Sequence, residues 1–194
     1  MPNPVTLRTT RTAGLTAPTI INVGRLTGQK NHKALVQAFA LVAPEHPDWT
    51  VRIFGDGPLH EPLQQLIDDA GLGDRVLLMG TTNDVEHELL DSSIFALSSD
   101  FEGLPLVLVE AMTCGVPCVA FNCSPGIEEI ITDGQDGLVV PNRSVTALAA
   151  GIRRLIEDTE LRRSMGRAAV VGAQRFSEEH VLALWEDLFD TVQR

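Results

Sequence analysis

The sequence predicts an α/β fold, a Rossmann-like parallel sheet of about six strands with helices on both faces and further helices at the C-terminal end. Three observations predict it. Short apolar runs alternate with helical patterns from Thr19 to Val140. The runs are followed by polar loops that contain glycine, as at Gly24, Gly55 and Gly80. With 194 residues and 44% hydrophobic content, the chain is long enough for one domain and cramped for two.

Residues 1–18 are rich in Thr, Pro and Arg, lack either periodicity, and read as a linker or tail. TIINVG (19–24) is the first strand, and NHKALVQAFALVA (31–43) the helix that returns from it. TVRIFG (50–55) and PLHEPLQQLIDDAG (58–71) repeat the unit, as do RVLLMG (75–80) and NDVEHELLDS (83–92). IFALS (94–98) precedes PLVLVEAMTCG (105–115), where Pro105 suits the first helical turn. CVAF (118–121) precedes SPGIEEIITDG (124–134), and GLVV (137–140) is the last strand. The alternation specifies a parallel sheet with crossover helices on both faces.

SVTALAAGIRRLIEDT (144–159) opens on Ser144 as an N-cap and repeats apolar residues through Leu148, Ile152 and Leu155. One domain is thus expected over residues 19–176 and an amphipathic helix over 177–194. That helix has Ser177 as its N-cap and a stripe of Val181, Leu184, Trp185, Leu188 and Val192. Periodicity does not decide whether the stripe packs on this core or on a partner.

The net charge of −11 speaks against a nucleic-acid surface and against bulk attraction to anionic membranes. Any phosphate site must then be local. No apolar run reaches the roughly 20 residues of a transmembrane helix, and the first residues lack a signal-peptide core, so a cytoplasmic chain is expected. Cys114, Cys118 and Cys123 form no CxxC pair and read as small thiols of the interior, with no metal site.

Glu110 is the one charged residue between Glu102 and Glu128. A carboxylate within an apolar helix needs a partner, a proton, or a cavity holding something polar. Glu102 falls in the loop before that helix, so the two carboxylates flank a helix start whose free N–H groups attract anions. After the first strand, Arg25 and Lys30 place two cations in one short loop. Each would gain about 4 kcal/mol from a phosphate at about 4 Å and an effective dielectric of 20, before desolvation. In open α/β sheets, ligands sit beyond the carboxyl ends of the strands, where all four residues fall. The turns at Gly55-Asp56-Gly57-Pro58 and Met79-Gly80-Thr81-Thr82 lie at the same ends, and Glu128 and Glu129 read as favourable charges in a first helical turn.

GRLTGQK (24–30), GDGP (55–58), FEGLPLVLVEAMTCGVPCVA (101–120) and SPGIEEIITDGQDGLVVP (124–141), in this order, resemble the retaining glycosyltransferases of family 4. The resemblance covers most of the chain from Asn3 to Phe189. It implies the nucleotide-sugar-binding half of a GT-B fold, in a hexosyltransferase of polysaccharide or glycoconjugate biosynthesis that uses a UDP or GDP sugar without a metal or other cofactor. It implies that Arg25 and Lys30 hold the diphosphate, that Glu110 binds the ribose, and that Glu102 stands beside the transferred sugar, with Arg25, Lys30 and Glu102 carrying catalysis. Gly24, Gly55, Gly103, Leu104 and Leu106 would approach sugar and phosphate through their backbone, and Met79 and Gly80 would line the base.

Where many relatives have Glu-Ser-Phe-Gly, this chain has Glu102-Gly103-Leu104-Pro105, so Pro105 offers no backbone donor. Asn3-Pro4-Val5 resembles the junction between halves. The acceptor-binding N-terminal domain would then lie outside these residues, the isolated chain would not transfer sugar efficiently, and the full-length enzyme would be cytoplasmic or membrane-peripheral. The alternatives are a non-catalytic sugar-nucleotide-binding module, a GT-B sugar-nucleotide epimerase and an NAD-dependent oxidoreductase; the turn after the first strand lacks the last one's GxGxxG.

Overall fold

The computed structural model describes residues 3–5, 7 and 9–192. Six strands form one sheet: β1 (Thr19–Val23), β2 (Thr50–Phe54), β3 (Val76–Gly80), β4 (Ile94–Leu97), β5 (Cys118–Asn122) and β6 (Gly137–Pro141). Every pairing is parallel, in the order β3-β2-β1-β4-β5-β6. The order reverses between β1 and β4, where chains leave in opposite directions and open a crevice above the sheet.

Among the described residues, eight α-helices accompany the strands: α1 (His32–Val42), α2 (His60–Asp69), α3 (Val85–Leu90), α4 (Leu106–Thr113), α5 (Pro125–Ile130), α6 (Val145–Glu157), α7 (Thr159–Ala173) and α8 (Glu178–Val192). Successive strand side chains point to opposite faces, so Ile20 and Ile21 serve different cores. Ile20, Ile53, Ile94 and Val119 pack with Leu35 and Phe39 of α1, Ile67 of α2 and Ile152 of α6. Ile21, Phe95, Leu97 and Ala120 pack with Leu89 of α3, Leu108 and Met112 of α4, Ile127 of α5 and Ala169 of α7. With both faces covered, the strand ends and their loops are what the sheet presents to a ligand.

The expected caps are in place. Ser144 Oγ accepts from the Ala147 N–H at 3.3 Å, and Ser177 Oγ from the His180 N–H at 3.2 Å. Cys114 and Cys118 are buried free thiols. Burial pushes the Cys114 thiol up to about 12 and raises Cys118 further, which leaves both unreactive near neutrality.

The structure departs from the sequence reading in four places. Pro105 is not in the first turn of α4 but caps it, with φ −74° and ψ 93°, and its carbonyl accepts from the Leu108 N–H at 3.0 Å. Helix α7 was not anticipated. Its buried positions are Arg162, Met165, Gly166, Ala169 and Ala173, so close packing replaces the broad apolar stripe that marks a helix in sequence. The segment before β1 lies against the domain: Val5 and Leu15 are buried, the Val5 N–H donates to Phe176 O at 2.9 Å, and the Ala13 N–H donates to Cys114 O at 2.8 Å. Of the α8 stripe, Val181 is buried, whereas Trp185 and Leu188 stay exposed, as does Phe189, whose ring lies 5.7 Å from that of Trp185; the Val192 side chain lies outside the described residues.

Candidate functional site at the sheet crossover

Strands β1 and β4 pair at two positions, Ile20 with Ile94 and Ile21 with Phe95. Beyond them the Asn22 side chain takes over, its Nδ2 donating to Ala96 O at 2.7 Å. Above this point the β1–α1 loop crosses to the β2–α2 loop, with Gly24 N–H on Phe54 O and Leu26 N–H on Asp56 O. Gly55 makes that approach feasible. Its φ is +143°, and a Cβ there would sit 2.0 Å from Gly24 O.

Residues 28–30 form one 3₁₀ turn, closed by Asn31 at φ 45°. The turn aims Lys30 across the crevice, where its Nζ lies 2.6 Å from Glu102 Oε1. Glu102 is buried, and the same oxygen accepts from Ser99 Oγ at 2.6 Å. Ser98 Oγ donates to Lys30 O at 3.2 Å, which anchors the backbone behind the ammonium. A carboxylate so deeply placed needs these donors. His32 adds no charge to the loop, because burial, helped by the Lys30 charge, lowers its pKa to about 4.

Two cavities flank the Lys30–Glu102 pair. One, of about 490 Å³, is lined by Val23, Gly24, Arg25, Gly55, Thr81 and Thr82 among others. The other, of about 460 Å³, is lined by Phe101, Glu102, Gly103, Leu104, Ser124 and Gly126 among others. Gly126 lets α5 press against the Gly103 loop, for a Cβ would lie 2.0 Å from Gly103 O. Pro105 supplies no side-chain cap to α4, so the first N–H groups of that helix keep their capacity to bind an anion.

Glu110 stands on the second turn of α4, half-buried. Burial raises its pKa, and among the described residues no cation or hydrogen bond offsets that burial. Second to burial, its charge and that of Glu86 on α3 both act on the Cys114 thiol.

Of the residues singled out in the sequence, Gly24, Arg25 and Gly55 border one cavity, and Glu102, Gly103 and Leu104 the other. Lys30 lines neither, but its Nζ meets Glu102 of one and its side chain lies against Gly24 of the other, 3.5 Å from where a Gly24 Cβ would sit. Leu106 is the first residue of α4 and, like Glu110, lines neither cavity. Met79 is exposed and Gly80 accepts the Gly55 N–H at 2.7 Å, but Thr81 and Thr82 are the residues of that loop that line the cavity. Ser99, which holds Glu102, was not singled out. Its place in the loop two residues after β4 is the available signal.

A model of the family described as glycosyl transferases group 1 matches residues 8–170. An exopolysaccharide phosphotransferase of Streptomyces coelicolor is 43% identical over 178 residues, which are 91% of this chain and 19% of that protein. An N-acetyl-alpha-D-glucosaminyl L-malate synthase of Bacillus anthracis is 34% identical over 176 residues, 90% of this chain and 46% of that one. The crystal structure of Anabaena HepE in complex with UDP and glucose superimposes with a TM-score of 0.81 at 26% identity, covering 93% of this chain and 49% of that chain. The chain thus spans half or less of the length of each of these relatives. The six-stranded sheet and its helices match half of a GT-B fold.

Proposed function

The chain belongs to the group 1 glycosyl transferases, and we propose that it binds a nucleoside diphosphate sugar in the β1–β4 crevice, for transfer of the sugar with retention of anomeric configuration. The observation that carries the reading is the Lys30–Glu102 pair at the topological switch point, its carboxylate on the wall of one cavity and its lysine side chain against Gly24 of the other. Arg25 and Lys30 would take the diphosphate together with the start of α4. The base would occupy the cavity of Gly55, Thr81 and Thr82, the ribose would extend beyond that lining toward Glu110 on α4, and the sugar would lie over Glu102 in the cavity of Gly103 and Leu104. UDP is the favoured nucleotide, since HepE of similar fold was crystallised with UDP and glucose.

The chemistry follows from this placement. As the bond between sugar and diphosphate breaks, negative charge grows on the leaving phosphate, where two cations and a helix start are already fixed. Glu102 orients the sugar and bears part of its developing positive character. No side chain needs to exchange a proton with the leaving group. The relatives are longer than this chain, so this reading assigns acceptor binding to the remainder of such an enzyme and efficient transfer to the complete one.

A second reading is favoured by the 43% identity to an exopolysaccharide phosphotransferase: the domain would serve as a sugar-nucleotide-binding module within a protein whose transfer chemistry lies elsewhere. A thermal-shift panel of UDP-, GDP- and ADP-sugars with NADH tests both against an oxidoreductase. A sugar nucleotide at about 100 times its Kd adds about 2.7 kcal/mol of stability. Stabilisation by UDP-sugars and none by NADH is expected; the reverse would refute both readings.

A further inference from the structure

We propose that Asp100 is a positioning residue that sets Lys30 against Glu102, and so governs how well the site grips a diphosphate; the inference rests on the donor-binding reading above. The β1–β4 ladder stops after Phe95, so strand pairing does not fix the spacing of the two loops above it. Asp100 adds to the Asn22–Ala96 and Ser98–Lys30 bonds in setting that spacing, and it alone holds both neighbours of Lys30 among the described residues. Its N–H donates to Gln29 O at 2.8 Å, and its Oδ1 accepts from Asn31 Nδ2 at 2.7 Å, so it grips the residues on either side of Lys30. Gln29 Nε2 answers by donating to Phe101 O at 2.9 Å, beside Glu102.

The same residue reaches the β6–α6 loop. Arg143 Nη2 lies 3.1 Å from Asp100 Oδ2, and Asn142 Nδ2 donates to Asp100 O at 3.3 Å. The two ties are unequal. The Arg143 side chain is 69% exposed, so that ion pair is weak, whereas the Asn31 contact is part-buried and acts on a residue at φ 45°. Asn31 Oδ1 also caps α1 through the Ala34 N–H. The Asp100–Asn31 bond therefore aligns the turn that carries Lys30, and its loss would let the ammonium drift from the phosphate position without removing any charge of Lys30 itself. A mispositioned group loses much of its effect even when it remains present.

The experiment titrates UDP and uridine into wild type, Asp100→Ala, Asp100→Asn and Arg143→Ala, with thermal melts confirming that each is folded. Asp100→Ala is expected to weaken UDP about tenfold while uridine changes less than about twofold, because only the diphosphate meets Lys30. Asp100→Asn, which keeps an oxygen for Asn31, is expected to recover most of the loss, and Arg143→Ala to bind as wild type. Equal losses for UDP and uridine in Asp100→Ala, or wild-type discrimination in that variant, would overturn this proposal alone. A wild-type protein that binds UDP no better than uridine would overturn it together with the diphosphate assignment.

Discussion

Lys30 and Glu102 should respond to mutation in opposite ways. At 2.6 Å and an effective dielectric of 20, their attraction is about 6 kcal/mol before desolvation. The Glu102 side chain is only 8% exposed and the Lys30 side chain 24%, so the carboxylate depends on the ammonium more than the reverse. Removing one member of a buried pair costs about 3–5 kcal/mol. Because Lys30 is partly exposed and Ser99 remains as a donor, Lys30→Ala should cost about 2–3 kcal/mol, or roughly 5–10 °C in Tm for a domain of this size. It should also weaken UDP about ten- to a hundredfold, the loss of one charge-assisted hydrogen bond. Glu102→Gln keeps the shape and frees Lys30 to meet phosphate, so its stability cost should be about 1 kcal/mol or less. UDP affinity in Glu102→Gln should equal wild type or exceed it by about threefold, whereas the added affinity of a UDP-sugar over UDP should shrink. Calorimetric melts and titrations on both variants decide the matter. A Lys30→Ala protein as stable and as tight for UDP as wild type would refute the reasoning, and so would a Glu102→Gln protein that loses UDP binding to the same degree as Lys30→Ala.

Glu110→Gln should weaken UDP and uridine alike by about ten- to a hundredfold, since ribose is common to both; titration checks this, and unchanged affinity would deny Glu110 the ribose. The same variant should be at least as stable as wild type at pH 7. The Glu110 pKa is raised by burial, so the folded chain holds the proton more tightly than the unfolded one. Its ionisation then costs stability as pH rises from the ordinary value of 4.5 through the raised one. The gain in Tm from Glu110→Gln should accordingly vanish in melts run below pH 4.5, and a gain that grew with acidity would contradict the sign.

The sheet was legible in the sequence because its information is local and periodic. Each apolar run from Thr19 to Val140 carries β-branched or aromatic residues between polar loops, and the helices between them bury stripes such as Leu35, Phe39 and Val42. What escaped had no such period. Helix α7 packs through Gly166, Ala169 and Ala173, which look unremarkable in sequence and matter only because other backbone comes close: a Cβ on Gly166 would lie 2.5 Å from Gly115 O. Val5 and Leu15 sit in an aperiodic stretch whose burial depends on residues far away in the chain, Phe176 and Arg162 among them.

The candidate site divides in the same way. Arg25, Lys30, Glu102 and Glu110 stood out by charge against apolar or glycine-rich surroundings. The sequence did not contain the fact that Lys30 and Glu102, 72 positions apart, touch each other. Ser99 and Asp100 passed unnoticed because Ser and Asp are ordinary loop residues, and their importance comes from what the fold places opposite them.

The central claim, that this crevice grips a nucleoside diphosphate through its cations, is tested most directly by titrating UDP and uridine into wild-type protein and Arg25→Ala. Arg25 is exposed and lines the same cavity as Thr81 and Thr82, so its removal should leave the fold intact. The account predicts that wild type prefers UDP over uridine by at least about tenfold, and that Arg25→Ala loses most of this preference while binding uridine as before. Equal affinities for UDP and uridine in the wild type, or an unchanged preference in Arg25→Ala, would contradict it.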